Sequence, residues 1–222
     1  MKFEFKNSSC YLISLEHRDD RRQKFIENTN QKGFELDTFE WINAVQDSDF
    51  GGLGCAKSHL SALAKFLTST ENAYCCIFED DFNFRESKDF SERLINQVIS
   101  DFHGCNVFLL GGTFVTPIPT NSKLENHTIN QVFEANSASG YLVKRKYVPK
   151  IMEVFMESIL GMEAYRAASP RKVIYDRFAI DQTWKRLQRT DEWYSSTPML
   201  GEQIASYSDI EKTDVDYSDY SS

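Results

Sequence analysis

The chain has 222 residues, of which 41% are hydrophobic, and it carries a formal net charge of -8 at pH 7. A chain of this length and composition can bury a sizeable core, and its acidic balance argues against nucleic acid or an anionic membrane surface as the main partner. The five cysteines show no paired metal-ligand spacing, and the sequence has neither a secretory signal nor an apolar stretch that would cross a membrane. We therefore expect a soluble, cytoplasmic protein with reduced cysteines.

The first quarter of the chain alternates between strand and helix patterns. The apolar run Cys10–Leu15 predicts a strand, and the charged stretch after it predicts a helix that ends near Lys32. A second short strand is expected within residues 34–44, and residues 55–67 have the spacing of a helix. The glycine-rich residues 51–54 precede that helix. A glycine loop at a helix N-terminus can receive a phosphate, although glycines at this place are more often a simple turn.

The most informative stretch is residues 73–81, AYCCIFEDD, an apolar run that stops on Glu79, Asp80 and Asp81. Its aromatic, β-branched and cysteine residues are typical of a central strand that is covered on both faces. In open α/β sheets, ligands bind at the carboxyl ends of strands, so these acids are well placed to hold a divalent cation against a phosphorylated ligand. The alternative at this stage is a solvated turn after a strand.

The rest of the chain continues the alternation, with one long exception. The polar residues 113–130, which contain Pro117 and Pro119, are predicted to form a loop, and long loops in compact domains often act as lids or binding loops. Alternating strands and helices predict a single α/β domain over residues 1–205, followed by an acidic, flexible tail over 206–222. The other predicted elements are helices over 87–100, 148–160 and 174–187, and strands over 106–110, 138–143 and 193–196.

Several short stretches, in order along nearly the whole chain, form a recognisable set. They are Tyr11–Leu15 with Arg18, Asp20 and Arg21, Gly51–Leu60, Phe78–Asp81, Ser139–Val143, Ile180–Asp181, and Pro198, Gln203 and Ser208–Ile210. Together they resemble glycosyltransferase family 25, the lipooligosaccharide and procollagen galactosyltransferase family. The sequence departs from the family pattern at Ser14, Glu16 and Lys57, where asparagine, aspartate and an aliphatic residue are usual.

The resemblance implies a GT-A-like fold, with a mixed central sheet flanked by helices, and an inverting hexosyltransferase. Such an enzyme would move galactose or glucose from a UDP-sugar to a hydroxyl of a glycan or of a glycosylated protein or lipid, as in lipopolysaccharide biosynthesis. The resemblance also implies that Glu79, Asp80 and Asp81 bind Mn²⁺ (or Mg²⁺), which agrees with the preference of hard cations for carboxylate oxygens.

Inversion at the anomeric carbon needs one general base. The resemblance points to Asp181 as this base and to His59 as a second catalytic residue near the donor. The alternatives are that Asp181 is an ordinary helix carboxylate and that His59 is a structural hydrogen-bonding residue. The donor-binding residues that the resemblance implies are Ser14, Arg18, Arg21, Gly54, Ser58, Glu79, Asp80 and Gly140.

Two other classes of protein compete with this interpretation. A metal-dependent phosphatase or phosphotransferase usually has a nucleophilic aspartate with a second acid two residues later, and residues 80–83, Asp-Asp-Phe-Asn, fit this poorly. A catalytically inactive sugar- or nucleotide-binding protein of the same fold would bind its ligands without metal-dependent release of nucleoside diphosphate.

Overall fold

A computed structural model describes residues 2–204, 206–208 and 213–215, and its centre is a mixed sheet with helices packed on both faces. The predicted α/β class, with a mixed central sheet flanked by helices, is therefore confirmed. The strands are β1 Ser9–Ser14, β2 Glu40–Asn43, β3 Tyr74–Glu79, β4 Phe82–Phe84, β5 Val107–Leu124, β6 His127–Lys144, β7 Trp193–Thr197, β8 Gly201–Gln203, β9 Ser206–Ser208 and β10 Thr213–Val215. The helices are α1 Asp19–Gln31, α2 Gly51–Ser69, α3 Lys88–Asp101, α4 Val148–Tyr165, α5 Arg171–Phe178, α6 Ile180–Thr183 and α7 Lys185–Thr190.

The main sheet has the strand order β2-β1-β3-β6-β5-β7. Strands β1, β2 and β3 are parallel to one another, whereas β6 runs antiparallel to β3 and pairs Gly140 with Phe78. The carboxyl ends of β1 and β3 therefore lie side by side at one edge of the sheet. A small second sheet, in which β8 pairs antiparallel with β4, places Gln203 opposite Phe82 at the same edge.

The core has two layers because successive side chains of a strand point to opposite faces of the sheet. In β1, Tyr11 and Ile13 pack with helices α2 and α4 on one face, whereas Leu12 packs with α1 and α3 on the other. The second face is rich in phenylalanine, including Phe78, whose ring lies 5.0 Å from that of Phe82. Strand β3 is covered on both faces, as its apolar run predicts.

The predicted loop over residues 113–130 is wrong, because these residues belong to a long hairpin formed by β5 and β6. Proline removes a donor from the strand ladder, which is why Pro117 and Pro119 argue for a loop. Both prolines nevertheless take part in the pairing of β5 with β6, and the register shifts at several places along it. Such β-bulges locally relax the ladder and allow residues that a regular strand would exclude.

Two helices also differ from expectation. The glycine-rich residues 51–54 form the first turn of α2 and are not a loop before it. The helix predicted over 174–187 is interrupted, because Ala179 has an extended backbone with a ψ of 146° and starts the new helix α6. Asp181 therefore lies in the first turn of a short helix, where it can face the β5–β6 hairpin.

The tail predicted from Ser206 onwards lies largely outside the described residues. Its described parts, β9 and β10, pair antiparallel with one another. Among the residues that the structure describes, no helix combines the length and the apolar character needed to cross a bilayer.

Candidate active site

The carboxylates at the end of β3 are buried and held by residues from several elements. Asp80 and Asp81 are each 5% exposed. Ser14, at the end of β1, donates a hydrogen bond of 2.7 Å from its Oγ to Asp80 Oδ2. Arg21 Nη1, from α1, lies 3.0 Å from Asp80 Oδ1 and 3.2 Å from Asp81 Oδ2. The guanidinium of Arg21 thus forms ion pairs with two adjacent carboxylates. Because Asp80 and Asp81 are buried, they do not form the solvated turn that the sequence left open as an alternative.

One side-chain oxygen of Asp81 accepts no hydrogen bond from the described residues. Its Oδ2 accepts a hydrogen bond of 3.0 Å from Gln203 Nε2, but its Oδ1 is buried and has no hydrogen-bond partner among the described residues. Burial raises the pKa of Asp81 to about 7, and the nearby charge of Glu79 acts in the same direction. A buried carboxylate oxygen without a partner is costly, and a cation would satisfy it.

Glu79 is positioned by a chain of hydrogen bonds from the sheet and from α2. His59 Nε2 lies 3.0 Å from Glu79 Oε1, and His59 Nδ1 lies 3.1 Å from the hydroxyl of Tyr141. Because an ionised carboxylate only accepts hydrogen bonds, Nε2 carries a proton and donates a hydrogen bond to Glu79. Burial is the largest single influence on the pKa of Glu79 and opposes its ionisation, but His59, Cys55 and Arg21 together outweigh it, so that this pKa is lowered. The side chain of His59 is fully buried, and its hydrogen bond fixes the position of the Glu79 carboxylate.

Cys55 adds a sulfur to this cluster. Its Sγ lies 3.4 Å from Glu79 Oε1, and one ligand atom each from Cys55, His59 and Glu79 lie within 4.8 Å of one another. Burial and the charge of Glu79 raise the pKa of the Cys55 thiol well above its usual range. The thiol therefore stays protonated and donates to Glu79, whereas Mn²⁺ and Mg²⁺ prefer oxygen ligands. The donor set that fits such a cation is Asp81 with Glu79, next to Asp80, whose two oxygens already accept hydrogen bonds.

Two cavities meet at Glu79. The first has a volume of about 130 Å³ and extends from the ends of β1 and β3 to the segment 44–48 before α2. The second has a volume of about 280 Å³ and lies between the β5–β6 hairpin and helices α5 and α6. Glu79, Cys55 and Gln203 line both cavities, whereas Asp80 and Asp81 line the first but not the second. The two cavities therefore form one cleft, with Glu79 at their junction.

Asp181 lies on the wall of the second cavity. Its Oδ2 accepts a hydrogen bond of 3.1 Å from the backbone N–H of Ser137, and its Oδ1 accepts one of 3.3 Å from the side-chain amide of Gln182. Burial raises the pKa of Asp181, and the hydrogen bond from Ser137 only partly offsets this effect. A carboxylate at a cavity wall whose pKa is raised above the usual range for aspartate is a stronger base and is better suited to taking up a proton.

A hydrogen-bonded chain connects Asp181 with Asp81. The hydroxyl of Ser137 donates a hydrogen bond of 3.2 Å to Gln203 Oε1, and the amide nitrogen of Gln203 donates to Asp81. Because Ser137 also donates its backbone N–H to Asp181, the two carboxylates are held in place by the same pair of residues.

The structure brings together most of the site residues that the resemblance implies. Ser14, Arg21, Ser58 and the three acids line the first cavity, and Asp181 joins Glu79 at the second. The side chain of Ser58 is committed to the fold, because its hydroxyl donates to Gly54 O and accepts the N–H of Val45.

Three other predicted donor-binding residues, Arg18, Gly54 and Gly140, do not line the two cavities. Arg18, which precedes α1, forms an ion pair of 2.9 Å with Asp20 in the first turn of that helix. A Cβ at Gly54 would collide with the carbonyl oxygen of Val45, and one at Gly140 would collide with the ring of Phe82. The glycines therefore allow close packing of α2 and of β6, and neither lines the two cavities. The amide of Gly52, at the start of α2, donates to the hydroxyl of Tyr175, so this N–H already has a partner within the protein.

Several residues of the cleft could not be assigned from sequence. Gln203 reaches Asp81 only because β8 pairs with β4, and Ser137 reaches Asp181 only because of a backbone with φ of 69°. Phe114 and Tyr175 line the second cavity from elements far apart in the chain. Of these four residues, the family resemblance includes Gln203 alone, in its last stretch.

Comparison with known proteins gives similarity at the level of structure only. No protein-family model matches the sequence, and no curated protein matches it. Solved structures that resemble it include A197 from STIV, with 13% identity, a TM-score of 0.47, and coverage of 87% of this chain and 81% of that one. A glycosyltransferase involved in glycosylation of the major capsid of PBCV-1 has 7% identity and a TM-score of 0.40, with 92% and 96% covered.

A Drosophila β1,4-galactosyltransferase 7 mutant, in complex with manganese, UDP-Gal and xylobiose, has 9% identity and a TM-score of 0.35, with 65% and 51% covered. Glycosyltransferases are thus among the structures that this chain resembles. At these scores, the similarity does not by itself assign a function, and membership of family 25 stays a prediction.

Proposed function

We propose that the protein is a metal-dependent, inverting glycosyltransferase of the GT-A type, with the chemistry that the resemblance to family 25 implies. It would transfer galactose or glucose from a UDP-sugar to a hydroxyl of a glycan or of a glycosylated protein or lipid. The observation that carries this proposal is the buried Oδ1 of Asp81, which has no hydrogen-bond partner among the described residues and belongs to a carboxylate that lines the first cavity. The anionic surroundings of this oxygen suit a divalent cation.

The first cavity is the proposed site of the nucleotide. Mn²⁺ or Mg²⁺ would be held by Asp81 and Glu79 next to Asp80, and when bound it would neutralise charge on the departing UDP. Arg21 holds Asp80 and Asp81 at the end of β3, and its guanidinium lines the same cavity. Ser14 fixes the orientation of Asp80 through its hydroxyl, which keeps the acidic motif rigid at the strand end.

The second cavity is the proposed site of the acceptor. Asp181 would accept the proton of the attacking hydroxyl, as the single general base that inversion needs. Its raised pKa favours this role, and the N–H of Ser137 keeps one of its oxygens in a defined direction. Gln203 couples the position of this base to that of Asp81.

A second candidate function is a catalytically inactive sugar- or nucleotide-binding protein of the same fold. The observation that favours it is the ion pairing of Arg21 with both Asp80 and Asp81, since a guanidinium can supply positive charge without a metal ion. This candidate predicts binding of a nucleotide sugar that does not depend on Mn²⁺, and no release of UDP.

The deciding experiment measures thermal shift and UDP release for a panel of nucleotide sugars, with and without Mn²⁺. The variants are Asp81→Ala, and Asp89→Asn on the exposed side of α3 as the control. The proposal expects one UDP-hexose to stabilise the wild type and the control only with Mn²⁺, and the effect to be lost in Asp81→Ala. Metal-independent stabilisation without UDP release would support the binding protein, and no shift with any nucleotide sugar would refute both.

A further inference from the structure

The wall of the second cavity contains two residues with an unusual backbone. Phe114 has a φ of 50° and Ser137 a φ of 69°, a region that residues with a side chain rarely adopt. Both lie in the β5–β6 hairpin next to the paired residues Thr113 and Asn136, where the register of the two strands shifts. Glu125 also has a positive φ, but it lies in the two-residue turn between β5 and β6, where this conformation is expected.

At Ser137, the unusual backbone goes together with two hydrogen bonds in the site. The N–H of Ser137 donates to Asp181, and its hydroxyl donates to Gln203. The backbone at Phe114 directs an aromatic ring to the same cavity. Phe114 is 53% exposed, so about half of its surface is accessible to a ligand from solvent. Strained residues and bulges cluster at functional sites, where they direct particular side chains toward a ligand.

The surroundings of Phe114 combine one aromatic face with many hydrogen-bonding groups. Three residues with amide side chains, Asn136, Gln182 and Gln203, line the cavity, and so does Asp181. A pyranose ring has a matching character, since it presents C–H groups on a face and hydroxyl groups around its edge. The negative face of an aromatic ring attracts such C–H groups, and polar side chains placed around an apolar wall fix the orientation of a ligand.

We propose that Phe114 is a platform for a sugar ring of the acceptor, and that the acceptor is therefore a saccharide and not a hydroxyl of a peptide side chain. This inference rests on the proposed function, since it places the acceptor in the second cavity beside Asp181. Phe114 determines acceptor affinity, whereas the donor binds in the first cavity. Substitution of Phe114 affects the acceptor KM and leaves donor binding unchanged.

The test uses Phe114→Ala, Phe114→Tyr, which keeps the ring, and Phe133→Ala as the matched control. Phe133 is also an exposed phenylalanine of the same hairpin, at 44% against 53% for Phe114, and it packs near the guanidinium of Arg189 without lining the second cavity. The acceptor probes are methyl β-glucoside, methyl β-galactoside, lactose and a collagen-like peptide with hydroxylysine. For Phe114→Ala we expect the saccharide KM to rise about five- to tenfold, or about 1–1.4 kcal/mol. The donor KM stays unchanged in Phe114→Ala, because the donor binds in the first cavity, and the other two variants behave like the wild type.

The outcomes separate this proposal from the proposed function. Transfer by the wild type with an unchanged saccharide KM in Phe114→Ala, or transfer only to the peptide, overturns the platform and leaves the transferase standing. If the wild type releases no UDP, the proposed function fails, and saturation-transfer NMR with the same saccharides tests the platform alone. Contact of the sugar C–H groups with wild-type protein that is lost in Phe114→Ala then supports it, and no such contact overturns it.

Discussion

Asp81→Asn should stabilise the metal-free protein at pH 8, although it removes a residue of the proposed active site. The substitution replaces a buried carboxylate by an amide of nearly the same shape. In the folded protein the pKa of Asp81 is raised from 3.8 to about 7. Each pKa unit corresponds to about 1.36 kcal/mol, so full ionisation of Asp81 opposes folding by up to about 4 kcal/mol.

The amide has a cost of its own. Its nitrogen takes the place of Oδ1, which has no partner among the described residues, and an unsatisfied buried donor costs about 1–3 kcal/mol. The expected net gain in the free energy of unfolding at pH 8 is therefore about 1–3 kcal/mol. Because the pKa of Asp81 is higher in the folded than in the unfolded protein, the wild type loses stability as the pH rises from about 4 toward 7. At pH 5 most of this loss is absent, so the difference in the free energy of unfolding between variant and wild type shrinks to near zero.

Urea unfolding in EDTA at pH 5 and pH 8 measures this difference, with Asp89→Asn as the exposed control, which should change the free energy of unfolding by less than about 0.5 kcal/mol. Added Mn²⁺ should stabilise the wild type by about 2.7 kcal/mol at a hundredfold excess over its Kd, and Asp81→Asn much less. A variant that is less stable than the wild type in EDTA at pH 8, or an advantage that does not depend on pH, would refute the reasoning.

Three further predictions concern neighbouring residues. Asp181→Asn should lower kcat for transfer about 10²–10⁴-fold and preserve the thermal shift produced by the donor. In the wild type, burial raises the pKa of Asp181, so the acidic limb of the pH profile for transfer should lie above the usual range for aspartate. Gly54→Ala should lower the free energy of unfolding in urea by about 1–3 kcal/mol, since its Cβ would collide with the backbone carbonyl of Val45, which cannot move aside easily. Cys55 should react with iodoacetamide at pH 8 far more slowly than a free thiol, because burial and Glu79 raise its pKa; rapid labelling of the folded protein would contradict this.

The elements with strong local patterns could be predicted from the sequence. The apolar run before Glu79 is a strand covered on both faces, and the polar face and Ser87 cap of α3 mark a helix in the expected place. The hairpin of β5 and β6 could not be predicted, because its pairing depends on bulges that accommodate Pro117 and Pro119. Proline and polar residues favour a loop locally, and only the partner strand decides otherwise.

In the candidate site, too, the residues of a short sequence motif could be predicted, whereas those placed by contacts between distant parts of the chain could not. The three acids are adjacent in sequence, so a motif alone identifies them. The break at Ala179 turns Asp181 toward Ser137, and nothing in the spacing of residues 174–187 indicates that break. Phe114 and Gln203 reach the cleft through a bulge and through a strand from the end of the domain, which are properties of the assembled sheet.

The position of β8 links the two halves of the proposed reaction. Gln203 is its last residue, and one amide group contacts both Asp81 and the hydroxyl of Ser137. Since Ser137 also holds Asp181, a shift of β8 would move the proposed metal-binding carboxylate and the proposed base together. In-line displacement requires a defined geometry between leaving group and attacking hydroxyl, and a misplacement of about 1 Å can cost about 10²-fold in rate. A single strand that contacts Asp81 and Ser137 keeps that geometry, even though Asp81 and Asp181 are far apart in the sequence.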